Sequence, residues 1–117
     1  MTPAANVRLP AARQGDTYGP FAVQLLFADG TPLPVAGATA KCQVRDVPAD
    51  QPGSAVLLTL CDGPPDAAGR WALAAPAAAT LAAAAGPWPF DFRVTYPDGR
   101  VVTYFEGRLP VGRSVTR

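Results

Sequence analysis

Apolar and polar residues alternate with a period of two along the stretch 88–96. In a β-strand this period puts the apolar side chains on one face and the polar side chains on the other. A Pro-Asp-Gly-Arg turn follows at 97–100, and residues 101–109 return with many β-branched and aromatic side chains. The pattern predicts a β-hairpin over 86–109 at the centre of the hydrophobic core. Its apolar face is formed by Trp88, Phe90, Phe92, Val94 and Tyr96.

Shorter segments before this hairpin also predict strands. Pro10 indicates that the first of them lies at a sheet edge, because proline cannot donate a ladder hydrogen bond. The predicted segments are 6–12, 18–27, 38–46, 55–61 and 70–74. The second segment is predicted to share one apolar face among Phe21, Val23, Leu25 and Phe27. The third segment is predicted to bury Ala38, Ala40, Cys42 and Val44.

Residues 76–85 are rich in alanine and predict about one or two helical turns, with Gly86 as the C-cap. Together with the hairpin, the predicted elements amount to about seven short strands with turn signals about 8–12 residues apart. This pattern predicts an all-β protein, a β-sandwich with one short helical turn.

The length of 117 residues fits one compact domain. Fourteen prolines and 11 glycines favour turns and short elements over long helices. We predict an N-terminal arm at 1–5, a β-sandwich domain at 6–111 and a C-terminal tail at 112–117.

Ten basic and nine acidic residues give a net charge of +1, so nucleic-acid binding has no electrostatic support. Residues 1–10 contain no apolar segment typical of a signal peptide, which predicts synthesis in the cytoplasm. The uncharged stretch 71–90 is long enough to span a bilayer, but it is mostly alanine and is interrupted by prolines. We therefore expect neither a nucleic-acid partner nor a membrane span.

Catalytic groups are scarce in this sequence. The chain contains no histidine, which excludes Ser-His and Cys-His nucleophile pairs and histidine metal sites. Cys42 and Cys61 could form a disulfide, but two small apolar side chains are the favoured interpretation. Asp62 and Asp66 could bind calcium or perform acid/base chemistry, although loop aspartates more often cap turns. The sequence predicts no enzyme activity and no cofactor or metal site.

Four aromatic residues could stack on a sugar, although aromatic residues in sandwich strands are more often core residues. They are Trp71, Trp88, Tyr96 and Tyr104. On the polar face of the hairpin, Asp91 and Arg93 are predicted to form a cross-strand ion pair.

Glu106 is a charge among apolar neighbours in the last predicted strand. It could be a buried carboxylate paired with Arg108 or Arg113, or it could contact another subunit. The final segment 110–117 has the form of an arm that links neighbouring subunits, and it contains Arg117. We therefore predict Glu106, Arg108, Arg113 and Arg117 as candidate subunit contacts.

Several short motifs follow one another along nearly the whole chain. They are RQGDTY at 13–18, FADGTPLP at 27–34, AGATAKCQVRD at 36–46, AVLLTL at 55–60, GRWAL at 69–73, PAAATL at 76–81, YFEG at 104–107 and VTR at 115–117. In this order they resemble a family of small immunoglobulin-like β-sandwich domains in structural proteins of tailed bacteriophages and prophages, similar to the N-terminal domains of baseplate upper proteins. The chain departs from the family pattern at 64–66, at 82–89 and near the C-terminus, where a glutamate is missing.

The resemblance implies an immunoglobulin-like antiparallel β-sandwich and no catalytic residues. It also implies a virion structural protein of the tail, neck or baseplate that assembles with other virion proteins as an oligomer. The alternative is a module that binds carbohydrate or the host surface, and this function would require exposed aromatic side chains.

Overall fold

The computed structural model describes residues 5–6, 9–47 and 54–113. Within these residues the chain is mostly β-structure, with one short helix. The strands are β1 Ala5–Asn6, β2 Ala12–Arg13, β3 Tyr18–Gln24, β4 Thr39–Arg45, β5 Val56–Gly63, β6 Arg70–Ala75, β7 Gly86–Thr95 and β8 Val101–Gly112, and the helix is α1 Ala77–Ala82. This result confirms the all-β prediction. None of the described residues belongs to a helix long and apolar enough to cross a membrane.

The strands form a large mixed sheet and a small second sheet. The large sheet has the order β1-β8-β7-β4-β5, and β2 also pairs with β8. Strands β4, β5, β7 and β8 pair in antiparallel fashion, whereas β1 and β2 both run parallel to β8. The small sheet consists of β3 and β6 in antiparallel pairing.

The hairpin of β7 and β8 lies in the middle of the large sheet. The sequence predicts this hairpin. In its turn the Tyr96 amide donates to the Arg100 carbonyl at 2.8 Å, and the Gly99 amide donates to the Tyr96 carbonyl at 2.9 Å. The Asp98 carboxylate accepts a hydrogen bond from the Arg100 amide at 2.9 Å. Gly99 adopts a φ of +88°, which a glycine reaches without steric cost.

The hydrophobic core lies between the two sheets. Phe92 of β7 is fully buried and stacks on Phe105 of β8, with ring centroids 4.7 Å apart. Trp71 of β6 meets Phe92 edge to face at 5.5 Å, so Phe92 contacts both sheets. The predicted inward face of β4 is confirmed, because its alternate residues are buried. Those residues are Ala38, Ala40, Cys42 and Val44.

The first two predicted strands differ from the structure. The segment 6–12 contains not one strand but the ends of two short ones, β1 and β2. The segment 18–27 stops being a strand at Gln24, and Phe21 and Phe27 are 36% and 51% exposed. A register shift between Tyr18 and Phe21 in the pairing of β3 with β6 turns Tyr18 inward. After Gln24 the chain bonds to the segment that follows it, because the Phe27 amide donates to the Thr31 carbonyl and the Leu33 amide donates to the Leu25 carbonyl. Val23 and Leu25 of the predicted face are partly buried against the core.

The short helix follows β6, as predicted, but Gly86 does not cap it. The helix ends at Ala82, and its C-cap is Ala83 in an extended conformation. Gly86 is instead the first residue of β7, with a φ of +151°. The ring of Trp88 lies 2.8 Å from the position that a Cβ of Gly86 would occupy, so this glycine leaves room for the tryptophan.

A buried threonine fixes the helix to the turn that precedes β3. The Thr80 hydroxyl is fully buried and lies 2.7 Å from the Asp16 carbonyl oxygen and 3.0 Å from the Ala77 carbonyl oxygen. Nearby, the Gln14 side-chain amide donates to the Ala83 carbonyl at 2.8 Å. The contacts of Thr80 with Asp16 and of Gln14 with Ala83 connect segments that are more than 60 residues apart in sequence.

We expect Thr80→Val to lower the free energy of unfolding by about 1–3 kcal/mol, because it leaves the Asp16 carbonyl without its partner. The measurement is urea unfolding followed by tryptophan fluorescence. Thr80→Ser is the matched control, since it keeps the hydroxyl and should lose less. A valine variant as stable as the serine variant would contradict this role of the hydroxyl.

Candidate binding face

The outer face of the large sheet carries a shallow groove of about 560 Å³ across β4, β7 and β8. It lies on the side of the sheet opposite the core, because residues alternate between the two faces along each strand. The charged residues that line it are Lys41, Arg45, Asp91, Arg93, Glu106 and Arg108.

Strand register arranges these charges in rows across the face. Lys41 pairs with Arg93 and forms a basic row, at whose edge Asp62 of β5 lies opposite Lys41. Asp91 pairs with Gln43 on one side and with Glu106 on the other, which forms an acidic row. Successive rows are two residues apart along β4 and β7, a spacing of about 6.6 Å. On β8 the register shift places Thr103 opposite Arg93, so β8 adds no charge to the first basic row.

A second basic row lies on the other side of the acidic row. Pro89 of β7 pairs with Arg108 of β8. Arg45 follows Val44, which pairs with Phe90, and it is therefore level with Pro89. The face thus carries a basic, an acidic and a basic row, and we call these three rows the banded face.

Neutral oxygen atoms hold the two arginines of the second basic row. The Arg45 guanidinium donates to the Gln43 side-chain oxygen at 3.0 Å and to the Ser54 hydroxyl at 3.2 Å. The Arg108 guanidinium donates to the Pro87 carbonyl at 3.2 Å. These contacts orient the positive charges but do not neutralise them.

The predicted ion pair of Asp91 and Arg93 exists, but it runs along one strand and not between strands. The Asp91 carboxylate and the Arg93 guanidinium are 3.7 Å apart. Both side chains are well exposed, so this pair contributes little to stability. It is the only salt bridge among the residues that the structure describes.

Glu106 is exposed, so its interpretation as a buried paired carboxylate is wrong. The reason is the phase of β8, which buries Phe105 and Leu109 and turns Glu106 and Arg108 outward. Arg113 is exposed just beyond the end of β8. Arg117 lies outside the described residues. The role of Glu106, Arg108, Arg113 and Arg117 as subunit contacts stays a prediction, and the structure brings the first two together on the banded face.

The four candidate sugar-stacking residues do not form one platform. Trp71 is buried in the core, as the favoured interpretation predicts. Trp88 and Tyr96 are near opposite ends of β7, about 26 Å apart along the strand. The Tyr96 and Tyr104 hydroxyls hydrogen-bond to each other, and burial, followed by this hydrogen bond, raises the pKa of Tyr104 to about 12.

Asp66 caps a turn, as the favoured interpretation predicts. Its carboxylate accepts hydrogen bonds from the Ala68 amide at 2.9 Å and the Arg70 amide at 3.0 Å. Asp62 is exposed on β5, opposite Lys41 of β4. Within 5–6, 9–47 and 54–113, no group of three or more acidic, cysteine or histidine side chains could hold a metal ion.

The two cysteines face each other on neighbouring strands as free thiols. Cys42 of β4 pairs in register with Cys61 of β5. Cys42 is fully buried and Cys61 is half-buried, which agrees with small apolar residues at these positions. Burial raises the pKa of the Cys42 thiol to about 12 and also raises the pKa of the Cys61 thiol.

We expect Cys42 to be inert toward a thiol reagent at pH 8 while the protein is folded, because the thiolate is the reactive form. In a titration with Ellman's reagent, Cys61→Ala should release colour only after urea unfolds it. Cys42→Ala, the matched variant, should react slowly while folded. Rapid reaction of the folded Cys61→Ala variant would contradict the burial of Cys42.

Alkaline pH is expected to destabilise the protein through Tyr18. Its hydroxyl donates to the Pro10 carbonyl at 2.7 Å, and burial, with a smaller contribution from Cys42, raises its pKa to about 12. The unfolded pKa is about 10. Folding favours the neutral form of Tyr18. The stability that this contributes to the folded protein is therefore complete below pH 10 and is lost between pH 10 and 12. Urea midpoints across this interval should fall less steeply for Tyr18→Phe, and equal slopes would contradict the shift.

Sequence reasoning missed Lys41 and Arg45 as members of the site. It placed them on the polar side of β4, and it placed Asp91 and Arg93 on the polar side of β7. The missing information was the register between these strands, which aligns the charges in rows. The sequence did contain one signal: in both β4 and β7 the charged residues occupy alternate positions, as expected for side chains on one polar face of a sheet.

No protein-family model matches the chain, and no curated protein matches it. The function of the chain is therefore inferred from the banded face and from the motifs in its sequence.

Proposed function

We propose that the chain is a non-enzymatic virion structural protein of a tailed bacteriophage or prophage, in the tail, neck or baseplate. It acts by assembling with other virion proteins. The ordered sequence motifs between 13 and 117 support the family, since they resemble those of phage β-sandwich domains. The banded face supports an assembly role.

The observation that carries this proposal is the arrangement of like charges opposite each other. Asp91 is opposite Glu106, and Lys41 is opposite Arg93. Asp62 on the other side of Lys41 and the Asp91 carboxylate beside Arg93 offset part of the repulsion between the two basic residues. Like charges at directly opposed positions destabilise a sheet. A partner with complementary charges would remove this repulsion, and it would gain specificity and a faster association rate.

We also propose an immunoglobulin-like β-sandwich as the finer description of the fold. The packing of Trp71 in the small sheet against Phe92 in the large sheet supports a two-layer arrangement. An experimental structure in which the two sheets do not pack face to face would refute it.

The geometry favours assembly over carbohydrate binding. Sugar binding uses exposed aromatic rings. Of the residues considered for this role, Trp71 is buried, and Trp88 of β7 is far from Tyr96, which follows the end of that strand. The banded face instead offers charged side chains on a rigid sheet, which suit a protein surface of complementary charge.

Proteomics of purified particles tests the proposed function. Phage particles induced from the strain that carries this gene should contain the chain at a fixed ratio to the major tail protein. Light scattering of the purified chain should give a discrete closed oligomer, as expected for a component around a symmetric tail axis. Absence of the chain from density-purified particles would overturn the proposal, whatever the oligomeric state.

A further inference from the structure

We infer that the banded face binds an extended segment of another protein that carries acidic, basic and acidic side chains at positions i, i+2 and i+4. This inference rests on the proposed assembly function and names the chemistry of its partner. The segment lies along β7 and presents one side chain to each row.

The spacing of the rows indicates that the bound segment is extended. The rows are two residues apart along β4 and β7, and the charged residues that β8 adds, Glu106 and Arg108, are also two residues apart. In an extended chain, side chains on one side are also two residues apart, about 6.6 Å. A segment aligned with β7 therefore stays in step with all three rows. On a helix, residues four apart rise by about 6.0 Å but are rotated by about 40°, so the third side chain of such a series turns away from the face.

The order of the charges carries the second step. The outer rows hold Lys41 with Arg93 and Arg45 with Arg108. Asp62 of β5 offsets one charge of the first row, so both outer rows have a net positive charge and attract acidic side chains. The middle row holds two carboxylates and attracts a basic side chain. A segment with an acidic side chain at its centre would be repelled by the carboxylates of the middle row. The banded face therefore discriminates between segments by the order of their charges and not by net charge alone.

The row at Pro89 carries a third step. Pro89 lies between Arg45 and Arg108 in this row and adds no charge of its own, so a carboxylate at this level meets a positive charge on either side. Neutral oxygens already orient both groups, so less side-chain entropy is lost when a carboxylate enters.

The segment comes from another protein and not from a second copy of this chain. Acidic residues four positions apart occur in this sequence only at 46 and 50 and at 62 and 66. A proline is the middle residue in both cases, at 48 and 64. No stretch of the chain therefore has the required acidic-basic-acidic order.

Fluorescence anisotropy with labelled synthetic peptides tests this inference on the full chain. The peptide TEVKVET has the required order, and TEVEVKT has the same composition in the wrong order. We expect TEVKVET to bind about fivefold more tightly, and we expect Arg108→Glu to weaken its binding by about fivefold or more. Arg70→Glu is the matched control, since Arg70 is exposed on β6 away from the face and should not change binding.

Three results would overturn the inference. One is equal affinity for the two peptides, which would indicate attraction by net charge alone. The second is binding of TEVKVET that Arg108→Glu leaves unchanged. The third is a homo-oligomer that Arg108→Glu dissociates, which would assign the face to a second copy. If the chain is present in particles but shows any of these results, the assembly function stands and only the partner chemistry fails. If the peptides discriminate but particles lack the chain, the phage assignment alone fails.

Discussion

Phe92→Ala is expected to lower the free energy of unfolding by about 3–5 kcal/mol, the usual cost of removing a buried phenylalanine. Phe92 has no exposed surface, and its ring contacts Phe105 in its own sheet and Trp71 in the other. Alanine would leave a cavity at the point where the two sheets meet. Aromatic pairs contribute beyond the buried area, so the loss of two of them places the expected value in the upper part of this range.

Urea unfolding, followed by circular dichroism, measures this effect without relying on Trp71 fluorescence. Phe27→Ala is the matched control, because it removes the same atoms from a side chain that is 51% exposed. We expect the control to cost less than about 1 kcal/mol. If both variants lose the same stability, Phe92 does not join the sheets in the way described.

Gly19→Ala is expected to lower the free energy of unfolding by about 2–5 kcal/mol, from the combined cost of a left-handed backbone and a steric clash. Gly19 is in β3 with a φ of +74°. An added Cβ would collide with the Leu73 carbonyl oxygen of β6 and would approach the Phe21 amide nitrogen within 3.1 Å. Both are backbone atoms, so neither can rotate away, and the pairing of β3 with β6 would open.

Gly30→Ala separates the two contributions. Gly30 has a φ of +90°, but no atom lies within 4 Å of an added Cβ. We expect only the conformational cost there, about 1–2 kcal/mol. Thermal unfolding of both variants measures the difference, and equal losses would show that Gly19 is restricted by its backbone conformation alone.

The strongest sequence predictions are those that depend on local signals. The hairpin of β7 and β8 follows from alternation within each strand and from the turn at 97–100. The inward face of β4 follows in the same way, and its residues Ala40 and Val44 are buried. A side chain's face within one strand is fixed by the strand's own sequence.

The failures concern contacts between distant segments. The faces of β3 depend on its register shift against β6, and Gly19 and Pro20 mark an irregularity there without giving the register. In the sequence Gly86 resembles a helix cap. In the structure the ring of Trp88 occupies the space that a side chain on Gly86 would need. In both cases the deciding partner belongs to the folded structure and not to the local pattern.

The banded face is half predictable from the sequence for the same reason. The polar sides of β4 and β7 were identified from alternation, and Glu106 and Arg108 were singled out as contact candidates. Their arrangement in rows requires the register of β4 with β7 and of β7 with β8. Composition hides this order, since a net charge of +1 shows no patch.

The pairing of the two ends of the chain determines when folding can finish. Ala5 of β1 pairs with Phe105 of β8, and Ala12 of β2 pairs with Val111. During synthesis the N-terminal strands must therefore wait for the last strand before their sheet edge is closed. Such long-range pairing slows folding to about milliseconds to seconds. We expect the emerging chain to stay sensitive to proteases until β8 has left the ribosome, and then to become protected in one step.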